Sequence, residues 1–162
     1  MKTCGALLAT FLVVVPGPAQ VLTSGQHTRE VSQSIYGLGL SAGVASGFGL
    51  SFRHHLPGFF SYQIVGGVIK VDNKTDYNIG GEVQFDMTRG DRSRFFADAS
   101  TGYFYSGDGG NTLAGPYRLG LGLGWEWGNF DPMNMSAELL FTYFSDGTIL
   151  PLPQVAIHYY FF

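Results

Sequence analysis

A strict alternation between large apolar residues and small or charged residues marks the second half of the chain. It is clearest over residues 117–128, YRLGLGLGWEWG, where Tyr, Leu and Trp take every odd position and Gly, Arg or Glu every even one. Because neighbouring residues of a strand point to opposite faces, this segment predicts a β-strand with one wholly apolar face. A two-sheet sandwich would bury that face and leave the glycines in water, where they only weaken the strand. A narrow barrel, with the small residues inside, fits the pattern better.

Seven further segments are predicted as strands; six show the same alternation, and each of the seven is about as long as a tilted membrane-crossing strand. Residues rich in Gly, Pro, Asn, Asp and Ser separate them, which is typical of turns. In the third segment Gly66 and Gly67 interrupt the alternation and predict a bulge that shifts the register. We therefore predict an all-β fold, a single closed up-and-down antiparallel transmembrane β-barrel of about eight strands. The predicted strands are 34–43, 47–56, 59–71, 77–88, 94–105, 117–128, 134–144 and 154–162.

The composition agrees with a surface that meets lipid. Charged residues make up 13% of the 162 residues, about half the ~25% of an average soluble domain. A chain of this length has too little interior to hide all its apolar side chains. The net charge of −3 argues against a nucleic-acid partner, because phosphate binding needs a basic patch.

The first residues read as a secretory signal peptide. Lys2 precedes ten uninterrupted mostly apolar residues, 6–15, and the small residues 17–19 follow as a cleavage site. Ten residues are too few for a transmembrane helix, which needs about 20; a buried strand or an uncleaved anchor is the alternative. We expect a cleaved signal at 1–19, a periplasmic extension at 20–32 and the barrel domain at 33–162. The single cysteine, Cys4, lies within the signal, so no disulfide framework is expected.

If the N-terminus of the barrel is periplasmic and the strands alternate in direction, the outward-facing aromatic residues fall at two levels along the barrel axis. Such rings favour the two membrane interfaces, so they predict two girdles on the lipid face. We expect the barrel to lie in the bacterial outer membrane as a monomer, with membrane lipid as its main partner. The predicted outer girdle is Tyr77, Tyr103, Tyr105, Tyr117 and Tyr143; the inner girdle is Phe85, Phe95, Trp125, Trp127, Tyr159 and Phe161.

Charged residues on the opposite face would lie inside the barrel. Enclosed charges are costly unless paired, so we predict an interior network. An eight-stranded interior is just wide enough to be filled by side chains, which argues against an open pore. Glu138 and His158 are expected nearly opposite each other on the last two strands, and Ser136 lies nearby; an acid–base site is the alternative to an ion pair. The predicted network is Arg53, Glu82, Asp98, Arg118, Glu126, Glu138 and His158, with Asp86 and Arg94 on the same face.

Two resemblances follow from these residues. The end of the chain, HYYFF with Tyr160 third from last, resembles the C-terminal assembly signal of bacterial outer-membrane barrels. Residues 33–162 resemble small eight-stranded barrels of the OmpX/OmpA kind in strand number and turn spacing. These resemblances imply an outer-membrane barrel that meets the barrel-assembly machinery through its last strand.

The stretch 143–147, YFSDG, followed by Pro151 and Pro153, resembles the lipid A 3-O-deacylases. Those barrels have a His-x-Ser-Asn motif and a later Glu that completes a His/Ser/Glu triad. Here Ser145 falls at the serine position, but Tyr143 stands in place of the histidine and no Glu follows. Without an imidazole to accept its proton, the serine is not an activated nucleophile. The resemblance therefore implies an inactive hydrolase.

We expect no cofactor and no metal. The histidines His27, His54, His55 and His158 lack metal-ligand spacing. Three hypotheses remain: a non-catalytic outer-membrane barrel with a structural or surface-interaction role, a divergent lipid A acyl hydrolase with Ser145, Glu138 or His158 as candidate catalytic residues, and a soluble periplasmic lipocalin-like binder. The first is favoured, because the apolar face lies outward and the triad is incomplete.

Overall fold

Eight antiparallel strands close into one barrel in which each strand pairs with its neighbour in sequence and β1 pairs with β8. The computed structural model describes residues 32–128 and 132–161. The predicted signal peptide and nearly all of the predicted periplasmic extension lie outside the described residues. The strands are β1 (Ile35–Ala42), β2 (Phe48–His55), β3 (Phe60–Val71), β4 (Lys74–Arg89), β5 (Ser93–Gly107), β6 (Tyr117–Trp127), β7 (Met133–Phe144) and β8 (Ile149–Phe161).

The all-β class, the strand number, the closure and the antiparallel order agree with the sequence prediction. We call the end where β1 begins and β8 finishes the terminal end, and the opposite end the distal end. Segments 43–47, 72–73, 108–116 and 145–148 connect strands at the distal end. Segments 56–59 and 90–92 are the described connections at the terminal end.

The last strand begins five residues earlier than predicted. β8 starts at Ile149 and includes Pro151 and Pro153, which the sequence placed in or just after a turn. Both prolines pair with β7, and β1 reaches only to the level of Val155. This part of β8 is therefore an edge, where a residue without an N–H group is tolerated.

The predicted bulge at Gly66 and Gly67 is wrong. The register between β3 and β4 runs without a break through both glycines. A register shift occurs instead in β4, between Asp86 and Thr88 opposite β5. Glycine in a strand often accompanies a bulge, but the register between β3 and β4 is regular at both of these glycines.

Burial in the barrel is inverted relative to an ordinary soluble domain. Among the described residues, 22 polar or charged side chains are buried, against eight hydrophobic ones. Large hydrophobic side chains from every strand except β5 are exposed on the outside. The period-two pattern thus places large apolar groups outward and polar groups inward.

Candidate functional site

The interior is crossed by a network centred on Arg53. Its guanidinium lies in the middle of the barrel, fully buried, and reaches from β2 to β6 and β7. It is paired with Glu126 and donates from Nε to Oε1 of Gln63 at 2.7 Å. Nη2 also lies 3.3 Å from Oγ of Ser136 and 3.6 Å from Oε1 of Glu138. One side chain thus ties opposite walls of the barrel together.

A second guanidinium, Arg94 on β5, continues this network towards the terminal end. It pairs with Asp86 at 2.6 Å and with Glu126 at 3.0 Å. Asp86 is also paired with Arg89. Glu126 is therefore shared by Arg94 and Arg53, and Asp86 by Arg94 and Arg89. Such shared pairing offsets the cost of removing each carboxylate from water.

Two further predicted network residues, Glu82 on β4 and Asp98 on β5, lie on the distal side of this centre together with Glu138. All three carboxylates are buried. The side-chain amide of Gln154 donates to Oε2 of Glu82 and to Oε2 of Glu138, at 2.5 and 2.6 Å. Glu138 thus lies between Arg53 and this distal group.

The predicted pairing of Glu138 with His158 is wrong. Glu138 lies opposite Gln154 in the β7–β8 register, and His158 lies opposite Asn134, four residues away from the expected position. Nε2 of His158 is instead 2.8 Å from Oγ of Ser51, across the β1 strand. The predicted acid–base site at Glu138 and His158 therefore does not form.

The Ser51–His158 pair has one element of a hydrolase site and lacks two others. A serine within hydrogen-bond reach of an imidazole is the first requirement of an activated nucleophile. However, within the described part of the chain Nδ1 of His158 has no hydrogen-bond partner, so no third group orients the ring. Both residues are 1% exposed, which leaves no room for a substrate. The pair is best explained as interior packing.

Arg118 lies apart from the other charges. Its guanidinium stacks on Phe104 at 3.7 Å and on Phe144 at 5.0 Å from the ring centroids. Nη1 donates to the backbone carbonyl of Val44 at 2.9 Å. Arg118 is the one predicted network residue that faces the distal opening rather than the buried pairs.

Residues 43–47, which overlap the turn that the sequence predicts at 42–46, fold into the distal end of the barrel and plug it. Ala45 and Ser46 are fully enclosed, and Oγ of Ser46 donates to Oε1 of Gln154 at 2.7 Å. The opposite wall has glycine where it meets this segment. A Cβ atom on Gly80 would lie 2.1 Å from the carbonyl oxygen of Ser46, and a Cβ atom on Gly102 would lie 2.5 Å from the carbonyl oxygen of Ala45. The inward glycines thus make room for this segment. The sequence signal was the presence of glycine at inward positions of β4 and β5.

Aromatic rings lie on the outside at two levels, of which the distal one extends over β4 to β7. All the predicted girdle residues project outward, and several neighbouring rings are in contact. At the distal level Tyr77 stacks on Tyr105 at 4.8 Å, and Tyr103 contacts Tyr117 at 4.9 Å between centroids. At the terminal level Trp125 stacks on Trp127 at 6.1 Å. Phe60, which the sequence did not assign to a girdle, joins the terminal level beside Phe85.

Ser145, the candidate nucleophile, lies in the exposed turn between β7 and β8. Its Oγ accepts a hydrogen bond from the backbone N–H of Tyr117 at 3.3 Å. The next residue, Asp146, accepts from the N–H of Thr148 at 2.9 Å, and this bond holds the pKa of the Asp146 carboxyl below its ordinary value. The serine and the aspartate thus shape the turn.

Residues 32–128 and 132–161 contain no helix long and apolar enough to cross a membrane. Comparison of the chain with protein-family models, with curated proteins and with solved structures finds no match. The fold and the interior geometry are therefore the basis for a functional proposal.

Proposed function

We propose that the chain is a non-catalytic barrel of the bacterial outer membrane, with a side-chain-filled interior and a structural or surface-interaction role. The observation that carries this proposal is the inverted burial of the barrel. Buried side chains are mostly polar, whereas large apolar side chains from seven of the eight strands are exposed. An apolar band of this extent is far larger than the patches that soluble monomers expose, and lipid is the solvent that favours it.

The spacing of the aromatic levels supports the same environment. On β4, β5 and β6 a distal tyrosine and a terminal aromatic ring are eight residues apart: Tyr77 and Phe85, Tyr103 and Phe95, Tyr117 and Trp125. Eight residues extend about 26 Å along a strand, or about 20 Å along the axis at a tilt of about 40°. This height is close to the ~25 Å apolar band of outer-membrane barrels.

The filled interior argues against two other roles. A solute channel needs an open lumen, but Arg53 spans this one and residues 43–47 plug its distal end. A lipocalin-like binder needs an apolar cavity for its ligand, but the interior here is lined by charged and amide groups. The acyl-hydrolase role is also disfavoured, because Ser145 lies in a turn and Ser51 is enclosed.

A surface role is supported by the projecting hairpin of β3 and β4. Beyond Tyr77, which pairs with Val68, the two strands continue for three more residue pairs to a turn at 72–73. This extension carries exposed Ile69 and Val71 beside Lys70 and Lys74. With the distal end facing outside, the hairpin extends beyond the outer girdle by about 10 Å along the strands, or about 8 Å along the axis at a tilt of about 40°, so an external partner would meet it first.

Heat-modifiable gel migration combined with cell fractionation tests the proposal. The full chain is produced in a Gram-negative host, and the membranes are extracted with alkali before detergent is added. We expect the protein in the outer-membrane fraction, and a faster-migrating band in the unheated sample than in the heated one. Recovery in the soluble fraction without detergent, with the same mobility in both samples, would refute the membrane role.

A further inference from the structure

The interior contains more buried carboxylates than buried guanidinium groups. Five carboxyl groups face three guanidinium groups in the described part of the barrel, so the interior carries two excess negative charges when all five are ionised. Unbalanced charge in a low-dielectric interior carries a large free-energy penalty. The carboxylates are those of Glu82, Asp86, Asp98, Glu126 and Glu138, and the guanidinium groups those of Arg53, Arg89 and Arg94.

The excess is concentrated on one side of the network. Asp86 and Glu126 each pair with two arginines, as described above. Within residues 32–128 and 132–161, the closest guanidinium contact to the other three carboxylates is that of Arg53, 3.6 Å from Glu138. Glu82, Asp98 and Glu138 thus form an acidic group with at most one positive charge beside it.

These three carboxylates also meet the geometry of a cation site. One oxygen atom from each lies within 4.8 Å of the others. Two oxygen atoms bound to the same Ca²⁺ ion at about 2.4 Å are at most about 4.8 Å apart. The three side chains come from β4, β5 and β7, so one ion would connect three strands across the lumen.

Asp98 provides the second, independent indication of a ligand. It is 5% exposed, and among the described residues neither of its carboxylate oxygens has a hydrogen-bond partner. Glu82 and Glu138, in contrast, are held by donors: Gln154 bonds both, and Gln84 bonds Glu82. Two carboxylates are therefore fixed in place, while the third is aimed at them with both oxygens unused. A buried carboxylate without a donor is costly, and a bound cation is one way to satisfy it.

We propose that Glu82, Asp98 and Glu138 bind one divalent cation inside the barrel. All three ligands are carboxylates, which selects hard cations of the Ca²⁺, Mg²⁺ and Mn²⁺ class. Ca²⁺ fits best because it accepts irregular geometry with few or no waters, whereas Mg²⁺ usually keeps several. Two positive charges also cancel the interior excess. The ion brings together residues 16 and 40 positions apart in sequence, which is why no ligand motif revealed it. The proposal goes beyond the membrane role and holds for the barrel in either environment.

Metal content and thermal unfolding of the refolded barrel test the proposal. The full chain is refolded from denaturant into detergent micelles free of lipopolysaccharide, because an enclosed site must be loaded before the barrel closes. Samples contain Ca²⁺, Mg²⁺, Mn²⁺ or EDTA, and metal is measured by mass spectrometry after gel filtration. We expect about one equivalent of bound Ca²⁺ per chain. With free Ca²⁺ at about 100 times Kd, the midpoint of thermal unfolding should lie roughly 5–10 °C above the midpoint in EDTA.

Two charge-removing variants of equal size separate this site from the rest of the network. Asp98→Asn should lose both the bound Ca²⁺ and the Ca²⁺-dependent rise in the unfolding midpoint. In EDTA its midpoint should be no lower than that of the parent, because its interior carries less excess negative charge. Asp86→Asn removes a carboxylate that two arginines already neutralise. It should be less stable but keep the Ca²⁺-dependent rise.

Three results would overturn the proposal. The first is a parent protein that holds no divalent ion and has the same midpoint in EDTA and in all three cations. The second is an equal loss of Ca²⁺ in Asp98→Asn and Asp86→Asn. The third is a midpoint that ignores every cation and rises on acidification, because protons on the carboxylates would then remove the excess charge.

Discussion

Leu121, halfway along the outer face of β6, offers a direct test of the proposed lipid environment. It is 67% exposed and four residues from both Tyr117 and Trp125. Four residues correspond to about 13 Å along the strand and about 10 Å along the axis at a tilt of about 40°. Leu121 would therefore lie at the bilayer midplane. An arginine at the midplane of a membrane barrel costs about 2–4 kcal/mol, and near an interface about 0–1 kcal/mol.

Three variants of β6 separate depth from loss of packing. Leu121→Arg should lower the free energy of unfolding by about 2–4 kcal/mol in lipid vesicles. Tyr117→Arg, at the outer girdle, should lower it by about 1 kcal/mol or less. Leu121→Ala removes the same side chain without adding charge and should cost under about 1 kcal/mol.

The assay is reversible unfolding in guanidinium chloride, in phospholipid vesicles, followed by intrinsic fluorescence. The chain has two tryptophans, Trp125 and Trp127, and both project outward at the terminal level. Their emission should shift to longer wavelength as the barrel leaves the lipid. If the outer face met water instead, a surface substitution would change stability by only about 0.5 kcal/mol. A Leu121→Arg effect within that range, or equal to that of Tyr117→Arg, would refute the depth argument.

Two interior predictions use the same assay. Arg53→Met should lower the free energy of unfolding by about 3–5 kcal/mol, because Glu126 and Glu138 lose a buried partner. Adding Glu126→Gln to this variant should recover part of the loss. If Arg53→Met alone left the stability unchanged, the network would contribute little. Gly122→Ala should cost about 1–3 kcal/mol, because its Cβ would lie 2.3 Å from the carbonyl oxygen of Leu139. Gly66→Ala, whose Cβ meets only a carbonyl oxygen at 3.7 Å, is the matched control, and equal effects of the two would contradict the close approach of β6 and β7.

The strand positions and the faces of the barrel could be predicted from the sequence because they depend on local information. The alternation over 117–128 predicts a strand, and β6 runs from Tyr117 to Trp127. The direction of each side chain follows from parity alone. Because one face of each strand is apolar and the other is small or polar, only one orientation of the strand is physically acceptable.

The pairing of β7 with β8 could not be predicted in the same way. The sequence suggests a break that lasts to Pro151, whereas the structure has a four-residue connection, 145–148, and a strand that begins at Ile149. Register depends on the length of this connection. The two prolines conceal the strand, because proline is rare in sheets away from edges. Glu138 consequently meets Gln154 rather than His158.

The position of residues 43–47 also depends on tertiary structure. Their composition, rich in Gly, Ala and Ser, is that of an ordinary turn. Only the closed barrel shows that Gly80 and Gly102 leave space for the carbonyl groups of this segment. Glycine at inward positions therefore has two different uses in this chain: a narrow lumen, and room for an inserted loop.

The two halves of the interior make different contributions to keeping the barrel shut. The plug at 43–47 closes the distal opening through contacts of Ser46 and Arg118. Ser46 of the plug also bonds Gln154 and so touches the distal edge of the network, but the ion pair of Arg53 on β2 with Glu126 on β6 includes no atom of the plug. Removal of the plug alone would therefore leave the lumen blocked, and opening a path for solutes would also require breaking buried ion pairs, which costs several kcal/mol for each. A barrel built in this way is suited to holding a fixed shape in its environment rather than to passing molecules through it.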